Sequence, residues 1–198
     1  MRNHLNLAKS ISMHHEVELI ADVSNSNEKN IYKLKQAGIN LHILNRNTNI
    51  NKGMSYLSFI FYLLKLIRKN KPDCVFYITL ELSFFGSLIS YFLNTKKSIF
   101  IITGLGPFFF KNDFKYKIFN KLQQYSFLFL SKVKSNFYFV FLNSVDMELL
   151  CHQYKIKRLH CKLIHGEGID KLEFRYIKRE EDVPKFLLAS RLVQSKGI

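Results

Sequence analysis

The chain has 198 residues, a hydrophobic fraction of 47% and a mean hydropathy of −0.05. These are the values of a globular chain that can bury a real core, and they exclude disordered, collagen-like and mucin-like classes. A balance of 30 Lys and Arg against 15 Asp and Glu leaves +15, which points to an anionic partner: nucleic acid, lipid headgroups or a phosphorylated substrate. Of the basic residues 23 are Lys and only 7 Arg. Specific phosphate recognition leans on Arg, so charge alone does not choose among these partners. Cys74, Cys151 and Cys161 form an odd set without CxxC spacing. That argues against a disulfide scaffold or zinc site and fits a reducing cytosol.

Leu5, Leu7, Ala8 and Ile11 line one side of an opening helix. Met1–Ser10 has no apolar core and does not read as a secretory signal. A strand over Glu16–Ala21, a helix over Glu28–Gln36 stopped at Ala37 and Gly38, and a strand over Asn40–Leu44 follow. Met54–Lys69 reads as a long helix closed by Asn70, Lys71 and Pro72. Between Asp73 and Lys96 the only charge is Glu81, long enough an apolar span for a membrane crossing. Ser83, Gly86, Ser87 and Ser90 dilute it, and it divides better into a strand over Cys74–Ile78 and a buried helix over Phe84–Leu93.

Ser98–Ile102 is strand-like, and a glycine-bearing loop, Gly104–Gly106, leads into a helix-rich stretch to about Lys134. Lys111–Asn136 carries six lysines and one acid, with Phe114, Ile118, Leu122, Tyr125 and Phe129 at three- to four-residue spacing. That stripe suits either a crossover helix facing the core or a basic-aromatic surface on an anionic membrane. The core reading is favoured, with the lysines left free for lipid headgroups. A strand over Asn136–Leu142, a helix over Ser144–Gln153 and a strand over His160–Ile164 complete the alternation. Lys171–Asp182 is a charged stretch without period, and Lys185–Ala189 is again strand-like.

Strands separated by helices of this length predict an α/β fold with a mostly parallel sheet covered on both faces. Ligands of such sheets bind at the carboxyl ends of the strands, so the chemistry is sought in the loops after them. Thr103, Gly104 and Gly106 form one such loop, either a tight turn or a backbone cradle for an anion. Gly166 and Gly168 form a second, beside His165, with Asp170 a capping candidate. Arg191 and Lys196 flank a turn near the end; both suit a diphosphate, or plain solvated surface. The histidines show no HxxxH or HExxH spacing, so no metal site is expected. No RRM, KH or helix-turn-helix signature supports nucleic-acid binding.

In their order, Lys71-Pro72-Asp73, Thr79 with Gly86 and Ser87, Ile102–Gly106, Gly166–Asp170 and Arg191-Leu192 with Lys196-Gly197-Ile198 resemble the family 4 glycosyltransferases. The bacterial members that glycosylate undecaprenyl-diphosphate-linked acceptors are the most similar. The resemblance implies the Rossmann-like N-terminal half of a GT-B fold: an acceptor-side domain over 1–170, a linker over 171–183, and the start of a donor-binding domain over 184–198. It implies that the first strand and most of the second domain are lacking, so the chain alone is expected not to be a competent transferase. It implies transfer of a sugar from a nucleotide-diphosphate sugar (a UDP-sugar) to a lipid-linked glycan acceptor in capsule or O-antigen synthesis, with retention and without metal or further cofactor. Arg191 and Lys196 would hold the donor diphosphate. Thr103, Gly104, Gly106, Gly166 and Gly168 would face the cleft, and Thr79 and Glu81 the acceptor, Glu81 standing where relatives often carry Lys. The implied location is the cytoplasmic face of the inner membrane, with a separate second-half chain as a further partner. The alternative is a non-catalytic basic module that docks on membrane, or the acceptor-side chain of a split transferase.

Overall fold

The computed structural model describes residues 2–22, 28–44, 52–106, 109, 113–133, 135–166, 168 and 186. The chain divides into two units, Met1–Gly168 and Ile169–Ile198. The expected linker and, Phe186 apart, the strand and turn after it lie outside the described residues.

The first unit alternates helix and strand: α1 (Arg2–Ser12), β1 (Glu18–Asp22), α2 (Glu28–Gln36), β2 (Asn40–Leu44), α3 (Lys52–Asn70), β3 (Val75–Ile78), α4 (Leu80–Phe92) and β4 (Ser98–Ile102). Then come α5 (Phe114–Val133), β5 (Phe137–Phe141), α6 (Ser144–Tyr154), a 3-10 turn (Arg158–His160) and β6 (Cys161–Leu163). Every strand pair is parallel. The strands form a two-stranded sheet, β1-β2, and a four-stranded sheet, β3-β4-β5-β6. This is the α/β class of parallel strands and helices predicted from the alternation, and the Rossmann-like half that the resemblance implies, with its strands in two sheets.

Alternating side chains divide the faces. On one face of the larger sheet Tyr77, Phe100, Phe139 and Cys161 form a row, set by the registers of the three ladders. Leu63 and Ile67 of α3, Ile89 of α4, Phe127 and Leu130 of α5, and Leu150 and Tyr154 of α6 cover that row as the main core. A smaller core joins Ala8 of α1 and Leu34 of α2 to Ile39, with Leu19 and Leu41 packed against it.

Helix α4 starts at Leu80, four residues before the apolar run that marks it in the sequence. Thr79 is its N-cap and accepts a 3.3 Å bond from the Leu82 amide. The residues that dilute its hydrophobicity are its packing face. Ser83, Gly86, Ser87 and Ser90 are all buried, and Ser87 bonds Ser126 of α5 at 2.9 Å. A buried polar chain runs from the Tyr77 hydroxyl to Ser90 (2.8 Å), on to Ser98 (2.8 Å) and Thr95 (2.7 Å). Burial pushes the Tyr77 hydroxyl up to about 12 against the opposing effect of its bond to Ser90. No described helix is long and apolar enough to cross a membrane.

Helix α5 corrects one expectation. Phe114 (77% exposed), Ile118, Leu122 (54%), Tyr125 (63%) and Phe129 stand in solvent, although they were expected to face the core. The inward face is instead Gln123, Phe127, Leu130 and Ser131. Phe127 packs on the Phe139 ring at 5.0 Å, and Gln123 makes two buried hydrogen bonds that suit no other direction.

Candidate functional site

Parallel strands in register bring all their carboxyl ends to one edge. Ile78 lies beside Ile101, Ile102 beside Phe141, and Phe141 beside Leu163. The residues that follow, Thr79, Thr103, Leu142 and Ile164, therefore stand in a row spanning about 15 Å, three strand spacings. Backbone bonds continue the ladders into the loops. The Thr79 amide donates to the Ile101 carbonyl at 3.0 Å, Ile164 to Phe141 at 2.9 Å and Gly166 to Leu142 at 3.3 Å.

Each loop has a local reason to turn there. Thr79 takes φ 98°, ψ 154°, outside the ordinary range of a β-branched residue. That conformation swings the chain from β3 into α4 and leaves Thr79 exposed, with Glu81 half-buried in the first turn. After β4, Gly104 and Gly106 adopt φ 155° and 68° while Leu105 between them is buried. The leucine pins the loop to the core, and its flanking glycines present backbone toward the edge. After β5, Asn143 caps α6 by accepting from the Asp146 amide at 2.7 Å. After β6, Gly166 and Gly168 take φ 77° and 73°.

The structure thus brings Thr79, Glu81, Thr103, Gly104, Gly106 and Gly166 to one edge of the sheet. Gly168 lies two residues farther along its loop. Arg191 and Lys196 lie outside the described residues. Exposed backbone at strand ends and the amino ends of α4 and α6 make this edge suited to an oxygen-rich or anionic ligand. Among the described residues no group of three His, Cys, Asp or Glu is placed to hold a metal ion.

Residues 4–137, from α1 to the first residue of β5, match the family described as glycosyl transferase 4-like. The chain belongs to that family. No curated protein matches the chain. For this glycosyl transferase 4-like chain the fold is the N-terminal Rossmann-like half of a GT-B transferase, and its substrates are a sugar donor and an acceptor. The matched part contains the loops after β3 and β4. Gly166, Gly168, Arg191 and Lys196 lie beyond it.

The sequence left both directions open for the stripe of α5, and the core direction favoured there is the one the structure overturns. The usable signal was Gln123, with Ser126 and Ser131 on the same helix. An amide with two donors and an acceptor in an apolar helix has a buried role when partners reach it.

Proposed function

We propose that this chain is the acceptor side of a glycosyltransferase that moves a sugar from a nucleotide-diphosphate sugar to a lipid-linked glycan acceptor at an anionic membrane face. The observation that supports it most is α5. Phe114, Ile118, Leu122, Tyr125 and Phe129 are exposed together, and Lys115, Lys117, Lys121 and Lys132 lie on the same helix. An apolar stripe beside lysines matches the acyl–headgroup boundary, where each basic residue contributes about 1 kcal/mol. A lipid-linked acceptor would present its diphosphate and sugar at that depth. The row from Thr79 to Gly168 would receive the sugar, with Arg191 and Lys196 on the donor diphosphate of a UDP-sugar. Transfer would proceed with retention and without metal, in the building of a cell-surface polysaccharide on the cytoplasmic side.

Vesicle sedimentation tests this. The chain is mixed with neutral vesicles, vesicles with anionic lipid, and neutral vesicles carrying a polyprenyl-diphosphate-linked sugar. Retention on the second and third, weakening with salt on the second, is expected. Leu122→Glu with Phe129→Glu removes two apolar contacts and should weaken retention by more than about tenfold. Equal retention on all three, or no effect of the double variant, overturns the reading. A second reading, a docking module without catalysis, rests on the same stripe. Sugar transfer by the chain combined with a second-half chain, lost in Arg191→Ala, would decide against it.

A further inference from the structure

Helix α6 and strand β6 bring two cysteines together, both outside residues 4–137, the part matched to the family. Cys151 sits in the last turn of α6, and Cys161 opens β6. Both are free thiols, and their Sγ atoms are 3.3 Å apart. The fold sets that pairing from two directions. The ladder places Cys161 beside Phe139 of β5, on the face that α6 covers with Leu150 and Tyr154. After α6, Lys155 turns the chain back with φ 51°, and the 3-10 turn Arg158–His160 returns it to the sheet. His160 anchors that turn, its Nδ1 3.1 Å from the Phe137 carbonyl oxygen.

The two thiols differ in access. Cys151 is half-buried and packs against the margin of the main core, whereas Cys161 is 8% exposed and part of that core. Burial, followed by the neighbouring Cys151 sulfur, pushes the Cys161 thiol up, and the Arg158 charge offsets only part of this. The Cys161 proton thus stays on sulfur, with the Lys157 carbonyl 3.8 Å away as acceptor. A small solute meets Cys151 first and Cys161 behind it. That is the arrangement of an attacked cysteine and a resolving one. Cys74 has no place in it. It precedes β3 by one residue, and β3 and β6 are the outer strands of their sheet, about 14 Å apart at three strand spacings.

We propose that Cys151 and Cys161 are a redox modification site, closed to a disulfide by hydrogen peroxide. The Cys151 sulfur attacks the peroxide, whose O–O bond breaks, giving a sulfenic acid at Cys151 and one water. The Cys161 sulfur then attacks the Cys151 sulfur. The S–S bond forms, the S–O bond breaks, and the hydroxide leaves with the Cys161 proton as a second water. Two thiols thus give up two electrons and two protons, and one peroxide takes them up as two waters. In a reducing compartment such a bond is transient and signals oxidant. Its consequence falls on β6. That strand is three residues long, with β5 its one ladder partner among the described residues, so it belongs to the easily opened end of the sheet. A bond from its first residue to α6 ties it down. Just past its other end, the Ile164 and Gly166 amides donate to Phe141 and Leu142 at the edge that carries the candidate site.

Peptide mapping and amide hydrogen exchange on the full chain test this, with hydrogen peroxide as the probe. The reduced chain is treated, and its remaining thiols are blocked before tryptic digestion. The expected product joins peptide 135–155 to peptide 159–162 and is released by dithiothreitol. Exchange at Ile164 and Gly166 is expected to slow at least fivefold in the oxidised chain. Cys74→Ala should leave the joined pair unchanged. Cys161→Ala should strand Cys151 as a sulfenic acid, labelled by dimedone at least tenfold more than Cys161 is in Cys151→Ala. No joined pair under excess peroxide, bonds formed mainly through Cys74 within or between copies, or equal labelling in the two variants overturns the proposal. A joined pair with unchanged exchange overturns the effect on β6.

Discussion

Replacement of Gly86 by alanine is expected to lower the melting temperature by about 6–12 °C, the equivalent of ~3 kcal/mol in a chain of this size. Intrinsic propensity predicts the opposite sign, since alanine in a helix interior is favoured over glycine by about 1 kcal/mol. Packing outweighs it. A Cβ at Gly86 would lie 2.1 Å from Cδ1 of Tyr77 and 2.4 Å from Cε1 and Cγ, far inside van der Waals contact. The ring has little room to retreat. Behind it Phe100 is stacked at 5.4 Å between centroids, and its hydroxyl is tied to Ser90, one turn along α4. Either α4 lifts off β3, or Tyr77 leaves its place and breaks the chain through Ser90, Ser98 and Thr95. Urea unfolding of the wild type, Gly86→Ala, Tyr77→Ala and the double variant forms the check. Because the clash needs both partners, the double variant should be more stable than the summed single costs by at least about 1 kcal/mol. Equal stability of Gly86→Ala and wild type would mean that α4 does not approach β3 as described.

That helix also shows what a sequence can and cannot reveal. Strands β2 and β4 and helix α2 fall where periodicity puts them, because short apolar runs bounded by Gly, Asn or charged residues have one natural reading. The start of α4 was four residues off. Its first turn is set by the Thr79 cap and a positive φ at a threonine, and neither leaves a compositional trace. The serines that make the segment look diluted are spaced to lie on one face, which is how a helix comes close to a sheet.

The outcome for α5 has a different cause. Apolar residues surround this helix, so the stripe with the most regular spacing is not thereby the one facing in. Direction is decided by partners on other elements: Ser87 across from Ser126, Leu80 and Tyr154 across from Gln123. Those are long-range facts that no local window contains. Strand ends could be placed from pattern, so Thr79, Thr103, Gly104, Gly106 and Gly166 were found as loop residues on a common edge. Their side-by-side order was not legible, because it comes from the ladder order β3-β4-β5-β6.

Gln123 is the residue on which that inward face turns, and Gln123→Leu is expected to cost about 2–3 kcal/mol despite its similar volume and greater hydrophobicity. In the native fold Nε2 of Gln123 donates to the Leu80 carbonyl at 2.9 Å, and Oε1 accepts from the Tyr154 hydroxyl at 3.1 Å. Leucine fills the space and leaves the Tyr154 hydroxyl buried without its acceptor; burial already holds that hydroxyl well above the usual tyrosine range. The Leu80 carbonyl starts α4 and keeps its place in the helix ladder, so the tyrosine bears most of the loss. Gln123→Leu with Tyr154→Phe removes both ends of that bond and should recover at least about 1 kcal/mol relative to the sum of the singles. Urea midpoints measure this directly; additivity within error would show that the 3.1 Å contact contributes nothing. The consequence reaches the site. Gln123 is the side chain that joins α5 to the first residue after Thr79, so the helix can present its outward stripe only while this inward amide is held.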